Sequence, residues 1–444
     1  MTHIPLSRSY LDTAWPIAVF HVMNKPGGAA CNMACEYCFY KHNQGRADIG
    51  YRRADIEEGG GAESTGKAES EERNAETADG IVSDELLERF ISEYLRSQDN
   101  PTVFFTWQGG EPTVVGLDFY RKVIAFQQKH ARPGGPKIAN SFQTNGLLLD
   151  EEWCEFLAEH KFLVGLSIDG PADIHDAYRK MRGGGGTFAR VRAAADCLKK
   201  HGVSFNTLTT ITPANAGRAR EVYEFLTGEI GATTLQIQPC AERKDFREVA
   251  PGKWPGDTLL TPGSPQTRPG HPESIMTDWS ISAEQWGRFL CELFDCWWKD
   301  GRERVHISWF DSWASQWAGG TATMCVTSPI CGRALSMESD GRVFSCDHYV
   351  HAEYCVGTAG RETSLSAMVR SQRQRDFGEG KSKSLPGYCR RCPFLFACYG
   401  ECPKRRFLLT PDGEGGLNYL CGGFRTFFDY AGARLAEEGR RLGR

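Results

Sequence analysis

The sequence predicts an α/β fold, a parallel sheet wound from βαβ units, followed by a smaller cysteine-rich unit. Two observations carry this. Short β-rich runs alternate with helical segments through the first half, and after about residue 305 the alternation stops and cysteines become dense. At 444 residues the chain exceeds one typical domain. Its 40% hydrophobic and 11% aromatic content is ample for a buried core.

The strand candidates are Pro16–Met23, Thr102–Trp107, Lys137–Gln143, Phe162–Ile168, Val203–Ile211 and Thr233–Gln238, rich in β-branched and aromatic residues. Helix candidates lie between them near Ser83–Ser97, Leu117–His130, Glu151–His160, Thr187–His201 and Arg218–Glu229. Strands spaced by helices of this length build parallel sheets. The repeat suits a barrel or partial barrel, with chemistry at the C-terminal strand ends, and periodicity alone leaves a doubly wound sheet equally open. Residues 46–80, rich in Gly, Glu and Ala, read as a surface insertion. Residues 250–273, rich in Pro and Gly, read as a long loop. A helix follows at Ser282–Lys299, with Ser282 and Gln285 at capping-box spacing.

A net charge of −4 and a pI near 6.3 point away from a nucleic-acid partner. No apolar run reaches the ~20 residues that cross a bilayer. Pro16–Met23 lacks the basic flank and small-residue cleavage site of a signal peptide, so a cytoplasmic location is expected. Seventeen cysteines, an odd number in a large chain, read as metal ligands rather than a disulfide framework.

Cys31, Cys35 and Cys38 form C-x3-C-x2-C just after the first strand. Three thiolates can hold three irons of a 4Fe–4S cube and leave the fourth open for a ligand. Structural zinc would call for a fourth nearby thiolate. This motif, with Tyr37 before the last cysteine, resembles that of the radical S-adenosylmethionine (SAM) superfamily. The resemblance implies a partial (β/α)6 barrel with this loop after strand one. Gln108-Gly109-Gly110-Glu111-Pro112 after the second strand is similar to the family's GGEP motif at the SAM amino group. Paired glycines allow close backbone approach, and Glu111 offers an anion to the ammonium. By the same resemblance Asn145 ends strand three at the cofactor site, and Ser167 and Arg179 contact SAM. Arg179 suits its carboxylate, and the backbone of Cys240 nears the adenine.

The C-terminal cysteines run Cys325-x5-Cys331-x14-Cys346, then Cys389-x2-Cys392-x5-Cys398-x3-Cys402, then Cys421. Eight thiolates make two complete sites, and spacing alone leaves zinc and iron–sulfur open. The arrangement resembles the SPASM domain, which carries two auxiliary 4Fe–4S clusters. That resemblance implies Cys325, Cys331, Cys346 and Cys402 for one and Cys389, Cys392, Cys398 and Cys421 for the other. The expected units are then a barrel over 14–304, a SPASM domain over 305–424 and a C-terminal helix over 425–444. Cys154, Cys197, Cys291, Cys296 and Cys355 read as small buried hydrophobes.

Ser345-Cys346-Asp347-His348-Tyr349-Val350 is similar to a block of the anaerobic sulfatase-maturating enzymes, as are FYKH after the first motif and CYGECPKRRF near the end. The resemblance implies three 4Fe–4S clusters, SAM, and an electron donor such as flavodoxin or ferredoxin. The substrate would be a sulfatase segment of the Cys/Ser-x-Pro/Ala-x-Arg type. SAM homolysis would yield a 5′-deoxyadenosyl radical that takes a Cβ hydrogen from that cysteine or serine. A base would take the thiol or hydroxyl proton, the auxiliary clusters the remaining electron, and the product would be Cα-formylglycine. Asp347 is the candidate base, against a turn-capping role, with Tyr40 as possible support. The rival readings are a maturase forming thioether or C–C crosslinks in a ribosomal peptide, and a non-catalytic iron–sulfur carrier.

Overall fold

The computed structural model describes residues 20–40, 77–78, 80–245, 256–361 and 363–443. Its first half alternates strand and helix: β1 (His21–Asn24), β2 (Thr77–Ala78), β3 (Ile81–Val82), α1 (Asp84–Arg96), β4 (Thr102–Trp107), α2 (Leu117–His130), β5 (Lys137–Thr144) and α3 (Glu151–Glu159). Next come β6 (Leu163–Ser167), α4 (Ala172–Tyr178), α5 (Phe188–Lys200), β7 (Phe205–Ile211), α6 (Ala219–Glu224) and β8 (Thr234–Pro239). Local chemistry sets these bounds. β4 buries alternate residues, as a period of two requires. The Ser83 and Asp150 side chains accept from the amides of Leu86 and Trp153, starting α1 and α3. Ser282 and Gln285 complete a capping box on α7 (Ala283–Cys296).

One ten-stranded sheet holds β1, β4, β5, β6, β7 and β8 in chain order, every neighbouring pair parallel. No strand order reverses, which separates this winding from a doubly wound sheet and its switch point. The order ends at two unjoined edge strands, so the barrel is partial.

The change near residue 305 is one of content and not a break in the sheet. β9 (His306–Ile307) pairs with β8 and leads into α8 (Ser308–Trp317). β10 (Ala334–Met337) pairs parallel with β1, His21 opposite Ala334, and β11 (Arg342–Phe344) and β12 (Cys355–Thr358) continue antiparallel. Short helices α9 (Leu365–Arg370), α10 (Gln372–Lys383), α11 (Gly387–Arg390) and α12 (Leu395–Cys398) follow, then β13 (Leu408–Leu409), β14 (Gly415–Leu417) and α13 (Cys421–Leu442). This half also has an apolar core. Trp286, Trp309, Trp313, Phe424 and Phe427, all under 3% exposed, join a hydrophobic core continuous with that of the barrel. α13 begins at Cys421 rather than 425 and lies close on α7: a Cβ on Gly423 would sit 2.2 Å from the Ala283 carbonyl.

Other expectations shift modestly. The first strand runs to Asn24, and residues 16–19 lie outside the described set. Of 46–80 only Thr77, Ala78 and Gly80 are described, the first two pairing with β3. The described part of 250–273 is pinned to the second half by Leu260, whose amide donates to the Phe407 carbonyl (3.1 Å) and whose carbonyl accepts from Leu409 (2.8 Å). Among the described residues no helix is long and apolar enough to cross a membrane.

Candidate active site

β1 delivers the chain into the three-cysteine loop, which is zipped to the glycine pair after β4. The Gly110 amide donates to the Gly28 carbonyl and the Glu111 amide to that of Ala30, both at 2.8 Å. A Cβ on Gly110 would lie 2.1 Å from the Ala30 carbonyl, so only glycine permits this approach. From the other side Ala34 and Glu36 donate to the carbonyls of Lys180 and Tyr178, and the Arg182 guanidinium grips the Cys31 carbonyl at 2.7 and 3.1 Å. The three-cysteine loop is thus held between the ends of β1 and β4 on one side and the segment leaving α4 on the other.

Glu111, the expected ammonium partner, also holds the strand ends together. Its carboxylate accepts from the Thr113 amide and hydroxyl, the Thr144 hydroxyl and the Asn145 amide at 2.7–3.0 Å, and it is 2% exposed. Three of these donors fall on Oε1 and one on Oε2, which keeps room for a further donor. It braces the strand ends, although burial raises its pKa. Asn145 donates to the Asn32 side chain (2.7 Å) and so ties β5 to the cysteine loop.

Arg179 is likewise partly committed. Its Nε and Nη2 donate to Asp169 (2.8 and 3.1 Å), and the Tyr37 hydroxyl donates to the same carboxylate at 2.5 Å. Ser167 accepts from Gln143 (3.0 Å). Cys240 has both backbone groups in use, its amide on Ile211 and its carbonyl accepting from Ile281, each at 2.9 Å.

His175 braces Asp169. Its Nδ1 accepts from the Asp169 amide (3.4 Å) and its Nε2 lies 3.0 Å from the Thr187 hydroxyl, which itself donates to the Arg179 carbonyl. That pattern needs neutral imidazole with its proton on Nε2. Burial, then Arg179, lowers its pKa from 6.5 to about 4. Below 6.5 the unfolded chain takes up the proton first, so this stabilisation is complete above about 6.5 and lost as pH falls toward 4. A gap of that size is worth roughly 3 kcal/mol. Urea melts at fixed pH should show a steep acid limb between those values, flattened in His175→Gln; equal limbs would remove His175 from the acid response.

The eight C-terminal thiols fall around two spaces. Cys325, Cys331, Cys346 and Cys402 line one cavity of 440 Å³, and Cys389, Cys392, Cys398 and Cys421 line a second, small apolar one. Burial pushes the thiols up: Cys31, Cys398 and Cys421 to about 12, Cys35, Cys325 and Cys402 to about 11. Thiolates there need cations beside them. Grouped sulfur donors in poorly solvated pockets fit iron–sulfur ligation.

Between the three-cysteine loop and the larger cavity lies a buried charge cluster. Lys25 Nζ sits 2.5 Å from Asp347 Oδ1 and 3.2 Å from Glu338 Oε1. The Tyr40 hydroxyl donates to the other Glu338 oxygen, and Lys25 lies 3.8 Å from the Tyr40 ring centre. Lys25 and Glu338 side chains are 1% exposed and that of Asp347 16%, so Asp347 is the member solvent reaches. Burial alone would raise the Asp347 carboxyl, but Lys25, then His348, hold it below the usual carboxylate range. Beside it Lys404 pairs with Glu242 (2.5 Å), and Phe39 packs on His348 at 4.6 Å between centroids.

Sequence reasoning found Asp347 but missed Lys25, Glu338 and Asp169. Lys25 leaves β1 and Glu338 leaves β10, far apart in sequence, and only the β1–β10 pairing joins them. The available signal was a lysine and a glutamate each ending an apolar strand.

The family profile described as Radical SAM superfamily matches residues 26–226, and that of an iron–sulfur cluster-binding domain, SPASM, matches 325–393. The chain is 42% identical to a serine-type anaerobic sulfatase-maturating enzyme of Bacteroides thetaiotaomicron, covering 95% of this chain and 91% of that one. It is 32% identical to a cysteine-type counterpart of Clostridium perfringens, over 93% and 96%. A solved structure of native anSMEcpe with bound AdoMet and Cp18Cys peptide superposes with a TM-score of 0.75 at 30% identity, over 95% and 99% of the two chains.

Proposed function

The chain belongs to the anaerobic sulfatase-maturating enzymes of the radical SAM superfamily, and from that membership we infer how its own residues divide the work. It oxidises a cysteine or serine of a sulfatase polypeptide to Cα-formylglycine, with SAM and three 4Fe–4S clusters as cofactors. In this reading Cys31, Cys35 and Cys38 hold the SAM-binding cluster, and the two cavity-lining sets of four hold the auxiliary clusters. When bound, these groups supply the one-electron chemistry that removes a hydrogen atom from the target Cβ and take up the electron left behind.

The chain's own contribution is position and proton. The Gly109-Gly110 turn offers backbone, and Glu111 Oε2 its remaining acceptor site, to the SAM amino group. Arg179, held to Asp169 along one edge, turns its remaining edge to the SAM carboxylate, and Ser167 and Tyr37 flank the same strand ends. Asp347 accepts the thiol or hydroxyl proton. The observation that carries this role is the Lys25 contact, which keeps Asp347 ionised in a buried setting directly after Cys346. One ammonium facing two carboxylates leaves an excess negative charge, which proton uptake at Asp347 neutralises.

Serine is the target residue in this reading, in line with the serine-type relative at 42% identity. The electron donor is a flavodoxin or ferredoxin, and the enzyme works in the cytoplasm without membrane or nucleic-acid partners. Anaerobic incubation of the cluster-loaded enzyme with twin Ser-x-Pro-x-Arg and Cys-x-Pro-x-Arg peptides tests this by mass spectrometry. Aldehyde on the Ser peptide is expected. Conversion of the Cys peptide alone would overturn the serine assignment, and 5′-deoxyadenosine formed without aldehyde on either would overturn this substrate.

A further inference from the structure

On the outer face of the barrel, three metal-binding side chains meet where α3 lies against α5. Glu151 opens α3 and Cys154 stands one turn later on the same face. Cys197 lies in the last turn of α5, and His201 caps that helix four residues on. One ligand atom each from Glu151, Cys197 and His201 lies within 4.8 Å of the others. Cys154 itself is fully buried in the hydrophobic core and stands behind this group rather than in it.

An ordinary surface ion pair accounts for part of this. Glu151 takes Lys200 on one oxygen (2.6 Å) and His201 Nε2 on the other (2.5 Å). It does not account for a thiol converging with them from the preceding turn of α5. Cys154 is the buried hydrophobe the sequence suggests, but Cys197 is only partly buried, and its proton is directed at the Asp150 carbonyl at 3.5 Å.

We propose that Glu151, Cys197 and His201 bind one divalent zinc ion that staples α3 to α5. A thiolate, an imidazole and a carboxylate form a borderline-soft set suited to zinc, with solvent as the fourth ligand, and poorly suited to magnesium or calcium. Zinc bonds of ~2.0–2.3 Å place ligand atoms well under the observed 4.8 Å limit, so small rotamer changes close the site. Lys200 keeps one Glu151 oxygen while the metal takes the other, and the proton that His201 shares with it leaves Nε2 as Nδ1 takes one from solvent, so the imidazole stays neutral. Binding releases the Cys197 thiol proton to solvent, and no electron is transferred. By joining α3 to α5 the ion steadies the helices beside β5 and β6, which lead to Asn145 and Ser167.

The test uses the enzyme with all clusters loaded, so that zinc cannot enter the iron–sulfur sites. Wild type, Cys197→Ser and His201→Gln are exposed anaerobically to one equivalent of zinc, dialysed against a weak chelator and assayed for zinc and iron. The expected result is about one zinc per wild-type chain, at least tenfold less in either variant, equal iron in all three, and a zinc-dependent rise in Tm in wild type only. Equal zinc retention by wild type and both variants would overturn the proposal, as would complete loss from wild type. If Cys197→Ser fails to fold, His201→Gln, altered at a helix cap, carries the comparison.

Discussion

Asp347→Asn should lower formylglycine formation by about 10²–10⁴-fold, the usual contribution of a positioned base, while iron content and SAM binding stay at wild-type levels. Asparagine keeps the shape of the side chain but cannot accept the proton. The substitution should also leave the fold intact, because Lys25 retains Glu338 at 3.2 Å and the cluster becomes one cation facing one anion. Fold and activity are therefore expected to separate. A variant that makes product at the wild-type rate would sink the base assignment and return Asp347 to the capping role open to any aspartate in a turn.

Lys25→Met should do the opposite, damaging stability before chemistry. Lys25 is 1% exposed and faces two carboxylates, so its removal leaves two like charges buried together. Breaking a buried pair from one side typically costs about 3–5 kcal/mol. Lys25 also heads the three-cysteine loop, donating its amide to Met337 and accepting from Gly28 at 3.0 Å, so iron retention in that loop should fall too. Adding Glu338→Gln removes one of the stranded charges and should recover part of the loss. Denaturant melts of the two variants and wild type form the comparison. If the double variant is no more stable than Lys25→Met, charge repulsion is not the cause.

Much of the fold was legible because it is local. The alternation that marked β4 and β5 and the capping box that opened α7 depend on neighbours within a few residues. The three-cysteine motif and the eight later cysteines were legible for the same reason, since ligand chemistry restricts residue type and spacing. Glu111 shows where such reasoning stops. Its place after two glycines suggested a ligand for an ammonium, and nothing local foretold that four donors from two segments, Thr113 and Thr144-Asn145, would also engage it. The change near residue 305 was visible too, but not that β10 would dock on β1 and extend the barrel sheet.

The sequence by itself determined the alternation of strand and helix and the cysteine spacings, and through the family resemblance it pointed to the barrel and the candidate base, because periodicity, motif spacing and residue chemistry are written along the chain. Only the tertiary structure decided what surrounds them. It sorted eight thiols around two cavities, put Lys25 between Asp347 and Glu338, and set Asp169 on Arg179. The physical reason is that charge pairing and burial act through space: a carboxylate's partners, and hence its protonation, come from whichever strand ends fold beside it.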